Sequence, residues 1–318
     1  MTSKLIEFLA SEVGLSARNI ERLIQSAPER YKVYHIRKRS GGWREIAQPA
    51  AELKIVQRAI VEKYLKHLPI HPAATAYVPG SSIRQNAAIH SVNGPILKYD
   101  FKEFFPSITE RSWLRYCEIH GIFDRVEAIQ FGRLLFRRPH GGTILRLSIG
   151  APSSPILSNI LMYEFDKMLQ ERVAQHSVTY TRYADDLTFS ARRTGYLNSV
   201  NKILRSTISQ VQLPKLKINE EKTVIATEKY RRQVTGLILT NDKRVSLGRE
   251  KKRNLRAALH HFREGKLDID QSVKLAGLMA FARDVEPEFY TRMELTYGKD
   301  LLSQLKYLVK GYRRPEYR

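Results

Sequence analysis

The chain has 318 residues, 42% of them hydrophobic, and carries 54 Lys and Arg against 32 Asp and Glu, a formal net charge of +22. That surplus favours a partner with a phosphate backbone and predicts strongly salt-dependent binding. The single cysteine, Cys117, excludes an intramolecular disulfide and a Cys-based zinc cluster, and the lack of a run of about 18 uncharged apolar residues or an N-terminal export signal predicts a soluble, cytoplasmic protein with no membrane partner.

At this length the chain can bury a sizeable core and is expected to divide into sub-domains, with Cys117 packed as a small apolar residue. Residues 1–28 predict two short helices, the second opening at Ser16 with Ile20, Leu23 and Ile24 on one face. Residues 31–46 predict a β-hairpin turned at Ser40-Gly41-Gly42, and residues 52–65 a helix. Lys38, Arg39 and Arg44 flank that turn, either as phosphate ligands or as charges that blunt an exposed edge. After a Pro79-Gly80 loop, a helix starting near Ser82 puts Asn86 and His90 four apart on one face. His90 has no second His or Cys at ligand spacing, so a hydrogen-bonded structural histidine is expected before a metal ligand.

The apolar run at 96–99 reads as a strand ending in Asp100, followed by the aromatic pair Phe104-Phe105 and a Pro106 that closes it. Gly150 permits close backbone approach, and Pro155 suits the first turn of a helix through Ile156, Asn159, Ile160 and Tyr163. Residues 178–190 hold Asp185 and Asp186 between two short alternating runs, the layout of a hairpin with acids at its tip. Helical spacing returns over 197–211. Beyond Thr240 the chain becomes helical and basic, with Arg249, Lys251, Lys252 and Arg253 crowded at its start. Tyr290, Tyr297, Tyr307, Tyr312 and Tyr317 lie among Lys and Arg, a mixture that stacks on bases or packs helices.

Asp100 with Asp185 and Asp186 suggests a three-carboxylate site; the alternative is two ordinary acidic strand ends. Joining a nucleotide to a strand is an in-line attack on its α-phosphate, which two divalent ions about 4 Å apart assist. Hard cations take carboxylate oxygens, and magnesium keeps several waters, so three acids and a main-chain carbonyl near Phe101 would suffice.

Tyr183-Ala184-Asp185-Asp186 resembles the catalytic box of reverse transcriptases, Asp100 resembles their first metal-binding Asp, and the segment from Gly150 to Pro155 resembles the substrate-positioning loop between them. Asn86-Ala87-Ala88-Ile89-His90 resembles the Asn-Ala-x-x-His signature of bacterial retron reverse transcriptases, and Val234-Thr235-Gly236 their Val-Thr-Gly signature. The resemblance implies an α+β, right-handed polymerase fold: a helical extension over 1–30, fingers over 31–92 and 111–148, a palm over 93–110 and 149–238, and a helical, RNA-binding thumb over 239–318.

The resemblance also implies roles. Asp100, Asp185 and Asp186 would be catalytic and, with Phe101, would hold two Mg2+ ions, Mn2+ being an alternative. Lys222, in a motif ending Asn-x-x-Lys-Thr, would reach the pyrophosphate. Lys38 and Arg44 would lie over the triphosphate, Phe105 beneath the sugar, and Gly150 beside nucleotide or template; Ile149 stands where many relatives carry Gln. Asn86, His90, Arg249, Lys251, Lys252 and Arg253 would contact RNA. The implied function is to copy a dedicated structured non-coding RNA into multicopy single-stranded DNA from dNTPs, primed from an RNA 2′-hydroxyl, in a phage-defence system with separate effectors of ATPase and HNH-type nuclease kinds. Group II intron or diversity-generating reverse transcriptases, and a non-catalytic RNA-binding scaffold, are the alternatives.

Overall fold

A computed structural model describes residues 3–38 and 41–310; Arg39, Ser40, Tyr312 and Tyr317 lie outside the described residues. The two N-terminal helices are α1 (Lys4–Val13) and α2 (Ala17–Ser26), and the Ser16 hydroxyl caps α2 by accepting from the Asn19 amide at 3.3 Å. Ile20, Leu23 and Ile24 are buried on one face of α2, as their spacing requires. β1 (Tyr31–Arg37) pairs antiparallel with β2 (Trp43–Pro49), and α3 (Ala51–Lys63) follows. Next come α4 (Ile83–Ser91), capped by Ser82, and β3 (Ile96–Asp100).

A short α5 (Phe104–Ser107) leads to α6 (Glu110–His120), α7 (Arg125–Leu135), α8 (Ser154–Leu161) and α9 (Tyr163–Ala174). The single helix expected through Tyr163 is two, because Met162 leaves helical geometry at ψ 0°. β4 (Thr179–Tyr183) and β5 (Asp186–Ser190) form the acid-tipped antiparallel hairpin. The chain continues through α10 (Val200–Gln210), β6 (Val224–Ala226), β7 (Arg232–Val234), β8 (Leu237–Leu239) and β9 (Val245–Ser246). It closes with α11 (Arg249–Arg263), α12 (Ile269–Val285), α13 (Pro287–Tyr297) and α14 (Lys299–Lys310). The expected α+β class is observed.

The chain divides into two compact units. The first runs to Ser81 and resumes over Leu97–Ile225. Its four-stranded sheet, order β4-β5-β3-β6, lies in one apolar core with Phe101, Trp113, Phe165 and Phe189 fully buried, each worth about 1.5–3 kcal/mol of transfer free energy. Cys117 is buried there, and desolvation pushes its thiol up to about 12, consistent with an inert packed residue.

The second unit takes Ser82–Ile96 and the chain from Ala226 onward. It holds the three-stranded sheet β7-β8-β9, α4 and α11–α14 around a separate core that includes Ala87, Val234, Leu259 and Phe289. Sequence grouped α4 with the β1–β2 hairpin and drew a boundary after residue 238. The structure differs because β7 and β8 pair as one hairpin across that boundary and the apolar face of α4 shares their core. Among the described residues no helix is long and apolar enough to cross a membrane.

Candidate active site

β3 ends on Asp100 in the sheet interior, 6% exposed, between two segments that fix its height. On one side the Phe101 amide donates to the Asp185 carbonyl at 3.0 Å, tying the end of β3 to the β4–β5 turn. On the other, the Asn219 amide donates to the Asp100 carbonyl at 2.7 Å and the Lys102 amide to the Lys217 carbonyl at 2.8 Å. Tyr183 pairs with Asp186, so Ala184 and Asp185 form a two-residue turn, with Ala184 at φ +57°. Two peptide segments 85 residues apart thus bring the three expected carboxylates to one end of the sheet.

Their electrostatics are coupled. Burial, then the charges of Asp100 and Asp186, raise the Asp185 carboxyl to about 6. Burial also raises Asp186, opposed by Lys98 and reinforced by Asp100. Lys222 Nζ donates to both Asp100 oxygens, at 2.9 and 3.0 Å, and this contact raises its own pKa. Asn219 Nδ2 lies 3.4 Å from Asp100 Oδ1. Among the described residues no three His, Cys, Asp or Glu side chains stand at ready-made metal-cluster spacing; the expected three-acid cage is a coupled trio with an ammonium on one member.

A buried ion pair supports the turn from below. Arg182 and Asp166 are both fully buried, with Arg182 Nη2 at 2.6 Å and Nε at 2.9 Å from the Asp166 oxygens. Arg182 Nη1 also donates to the Ala184 carbonyl at 3.1 Å and to Asn159 Oδ1 at 3.2 Å, while the Tyr180 hydroxyl donates to Asp166 Oδ1 at 2.8 Å. Sequence reasoning missed Arg182 and Asp166. A charged residue inside an alternating strand next to the acidic pair was the available signal.

The remaining expected residues of the first unit lie on several elements. Phe105 is half-buried against Phe104, their ring centroids 5.4 Å apart, and Phe101 is buried in the core. Gly150 sits beside β2: the Ala47 amide donates to the Ile149 carbonyl at 2.8 Å, and a Cβ on Gly150 would come within 2.9 Å of the Ala47 carbonyl oxygen. Its φ of +122° adds a second reason for glycine. Lys38 and Arg44 are exposed on the β1–β2 hairpin, and the Lys38 amide donates to the Gly42 carbonyl at 3.0 Å.

In the second unit the two short signatures meet. The Thr235 hydroxyl donates to the Ile83 carbonyl at 3.1 Å, and Thr235 and Gly236 turn at φ +46° and +79° between β7 and β8. Asn86 and His90 are buried at 1% and 0% exposure, and burial pushes His90 down to about 3. Their expected RNA contacts are therefore corrected to packing, because neither side chain reaches the surface. Arg249, Lys251 and Arg253 are exposed on α11, with Lys251 Nζ donating to the Gly236 carbonyl at 3.0 Å. Lys252 is instead half-buried, its ammonium 2.5 Å from Glu286 and 5.9 Å from the Phe289 ring centroid.

Residues 36–244 match the family model of reverse transcriptases, RNA-dependent DNA polymerases. The chain is 37% identical to the retron Ec83 reverse transcriptase of Escherichia coli over 91% of its own length and 94% of that protein's. It is 31% identical to the retron Ec73 enzyme and 30% to the retron Ec86 enzyme of the same species, covering 87% and 94% of this chain and 90% and 92% of theirs. Those similarities span both units, the coupled carboxylates and the joined signatures alike, and the chain belongs to the bacterial retron reverse transcriptases, a family of RNA-directed DNA polymerases.

Proposed function

We propose that this chain copies a dedicated structured RNA into multicopy single-stranded DNA, priming from a 2′-hydroxyl of that RNA to give a branched RNA–DNA product. The convergence of Asp100, Asp185 and Asp186 at one sheet end carries the polymerase part, and the retron relatives support the RNA and product class. The donor set suits a hard divalent cation: burial first, and then neighbouring carboxylates, raise Asp185 and Asp186, so ionising them together is costly and a cation between them would relieve that cost. Asp100, Asp185, Asp186 and the Phe101 carbonyl would hold two Mg2+ ions, or Mn2+. When bound, such ions supply the charge neutralisation that in-line phosphoryl transfer needs.

The chain's own groups account for the rest. A primer hydroxyl gives up its proton to solvent and attacks the α-phosphate of a dNTP, the bond to pyrophosphate breaks, and Lys222, released from Asp100, neutralises or protonates the leaving pyrophosphate. Lys38 and Arg44 on the β1–β2 hairpin bind the triphosphate, the Gly150 loop positions nucleotide or template, and Phe105 blocks a ribose 2′-hydroxyl. In family terms, the β1–β2 hairpin belongs to the fingers, the four-stranded sheet to the palm and α11–α14 to the thumb. The basic face of α11, with Arg249, Lys251 and Arg253, grips RNA phosphates.

Nucleic acid extracted from the protein purified from its native cells tests this. DNA whose mobility shifts after both RNase and debranching treatment is expected; RNA without DNA would overturn it. Phage defence in the cytoplasm, with a separate ATPase and HNH-type nuclease as effectors, extends the same proposal. Effectors co-purifying from growing cells would support it, and their absence would count against it.

A further inference from the structure

Tyr77 stands in a left-handed conformation at φ +61°, unusual for an aromatic residue, and the chain on its N-terminal side is tied down. The Arg182 amide donates to the Ala73 carbonyl at 2.7 Å, and the Thr75 amide to the Arg182 carbonyl at 2.8 Å, an isolated parallel bridge to β4. Asn159 Nδ2 donates to the Ala76 carbonyl at 2.7 Å, and the Ser81 hydroxyl to the Thr75 carbonyl at 2.8 Å. Asn159 and Arg182 are also the residues beneath the Asp185 turn, so one buried network sets the turn and the Tyr77 backbone together.

The side chain so held is 46% exposed, and its ring centroid lies 6.4 Å from that of Phe105, inclined at 52°. Phe104 also packs against Phe105 at 5.4 Å, and Phe101 stacks on Phe104 at 5.9 Å. Burial first, then the charges of Asp185 and Tyr183, raise the Tyr77 hydroxyl, and Arg44 opposes them. Tyr77 thus shares its surroundings with an acid of the trio, a basic residue of the hairpin and the aromatic ring proposed to face the sugar.

We infer that Tyr77 is a positioning residue for sugar selection, bracing the Phe105 ring so that it excludes a 2′-hydroxyl, an inference that rests on the proposed role of Phe105. A half-buried ring held on one side only has rotamer freedom, and a gate that yields by a rotamer discriminates poorly. Tyr77 supplies the second wall from a segment that the strained backbone and four hydrogen bonds keep in place.

The test is single-nucleotide incorporation by the full-length enzyme on its RNA, with dNTP and rNTP measured separately, for Tyr77→Gly, Tyr77→Phe and Phe105→Ala. Glycine suits the left-handed backbone, so Tyr77→Gly removes the ring without adding strain. Tyr77→Gly is expected to raise the rNTP-to-dNTP ratio of kcat/KM about ten-fold, Tyr77→Phe to leave it unchanged, and Tyr77→Gly to add little in a Phe105→Ala background. If Phe105→Ala shifts the ratio while Tyr77→Gly slows both nucleotides equally, the bracing role is overturned and that of Phe105 stands. If neither variant shifts the ratio, the role of Phe105 fails and the inference fails with it.

Discussion

Lys222 Nζ lies 2.9 and 3.0 Å from the two carboxylate oxygens of Asp100, joining a half-exposed cation to a nearly buried acid. An ammonium so exposed contributes little to folding, about 0–1 kcal/mol, whereas a proton donor at a leaving group contributes about 10²-fold or more to rate. Lys222→Ala is therefore expected to slow single-turnover extension about 100-fold and to leave thermal unfolding nearly unchanged. An unaltered rate would remove Lys222 from the mechanism.

The Asp185 carboxyl, raised from 3.8 to about 6, makes stability depend on pH in a defined direction. The fold favours its protonated form, so its contribution is fully present below about pH 4 and is lost as pH rises through about 6. Asp185→Asn removes the charge. In chelator, the variant is expected to be more stable than the parent by about 1–3 kcal/mol above pH 6, a gap that closes below pH 4. Denaturant titrations at the two pH values check this, and an equal gap at both would contradict it.

Arg182 and Asp166 are both fully buried and paired at 2.6 Å, so truncating one leaves the other charge uncompensated. Arg182→Ala is expected to cost about 3–5 kcal/mol in denaturant unfolding. Replacing both, Arg182→Met with Asp166→Leu, should recover much of that stability. It should not restore activity, because the Ala184 carbonyl loses its donor in either variant.

Much of the fold and the candidate site was legible in local pattern. Alternation over residues 178–190, the apolar run ending at Asp100 and the capping serines Ser16 and Ser82 report their own geometry through near neighbours. Partners distant in sequence were not legible. Arg182 sits in a strand where a guanidinium looks out of place until Asp166, on α9, is beside it. Tyr77 in a Pro-Gly loop gives no sign of its left-handed backbone, which long-range bonds from Asn159 and Arg182 stabilise. The burial of Asn86 and His90, and the separation of α4 from the β1–β2 hairpin, follow from a core shared with β7 and β8 about 140 residues later.

Neighbouring cations on α11 should behave differently. Arg253 is exposed, whereas Lys252 is held against Glu286 and Phe289. Arg253→Gln is expected to weaken RNA binding at all sequences and to lower the slope of log affinity against log salt by about 1, with stability unchanged. Lys252→Gln is expected to lower the unfolding midpoint. Binding titrations across a salt series, paired with thermal melts, separate the two.

RNA-templated DNA synthesis by Asp185→Asn beside the parent protein, each also titrated with the same RNA, tests whether the coupled carboxylates at the end of β3 and the β4–β5 turn perform the polymerisation. Synthesis is expected to vanish in the variant while RNA affinity is retained. Synthesis that persists in Asp185→Asn would contradict the assignment of this site.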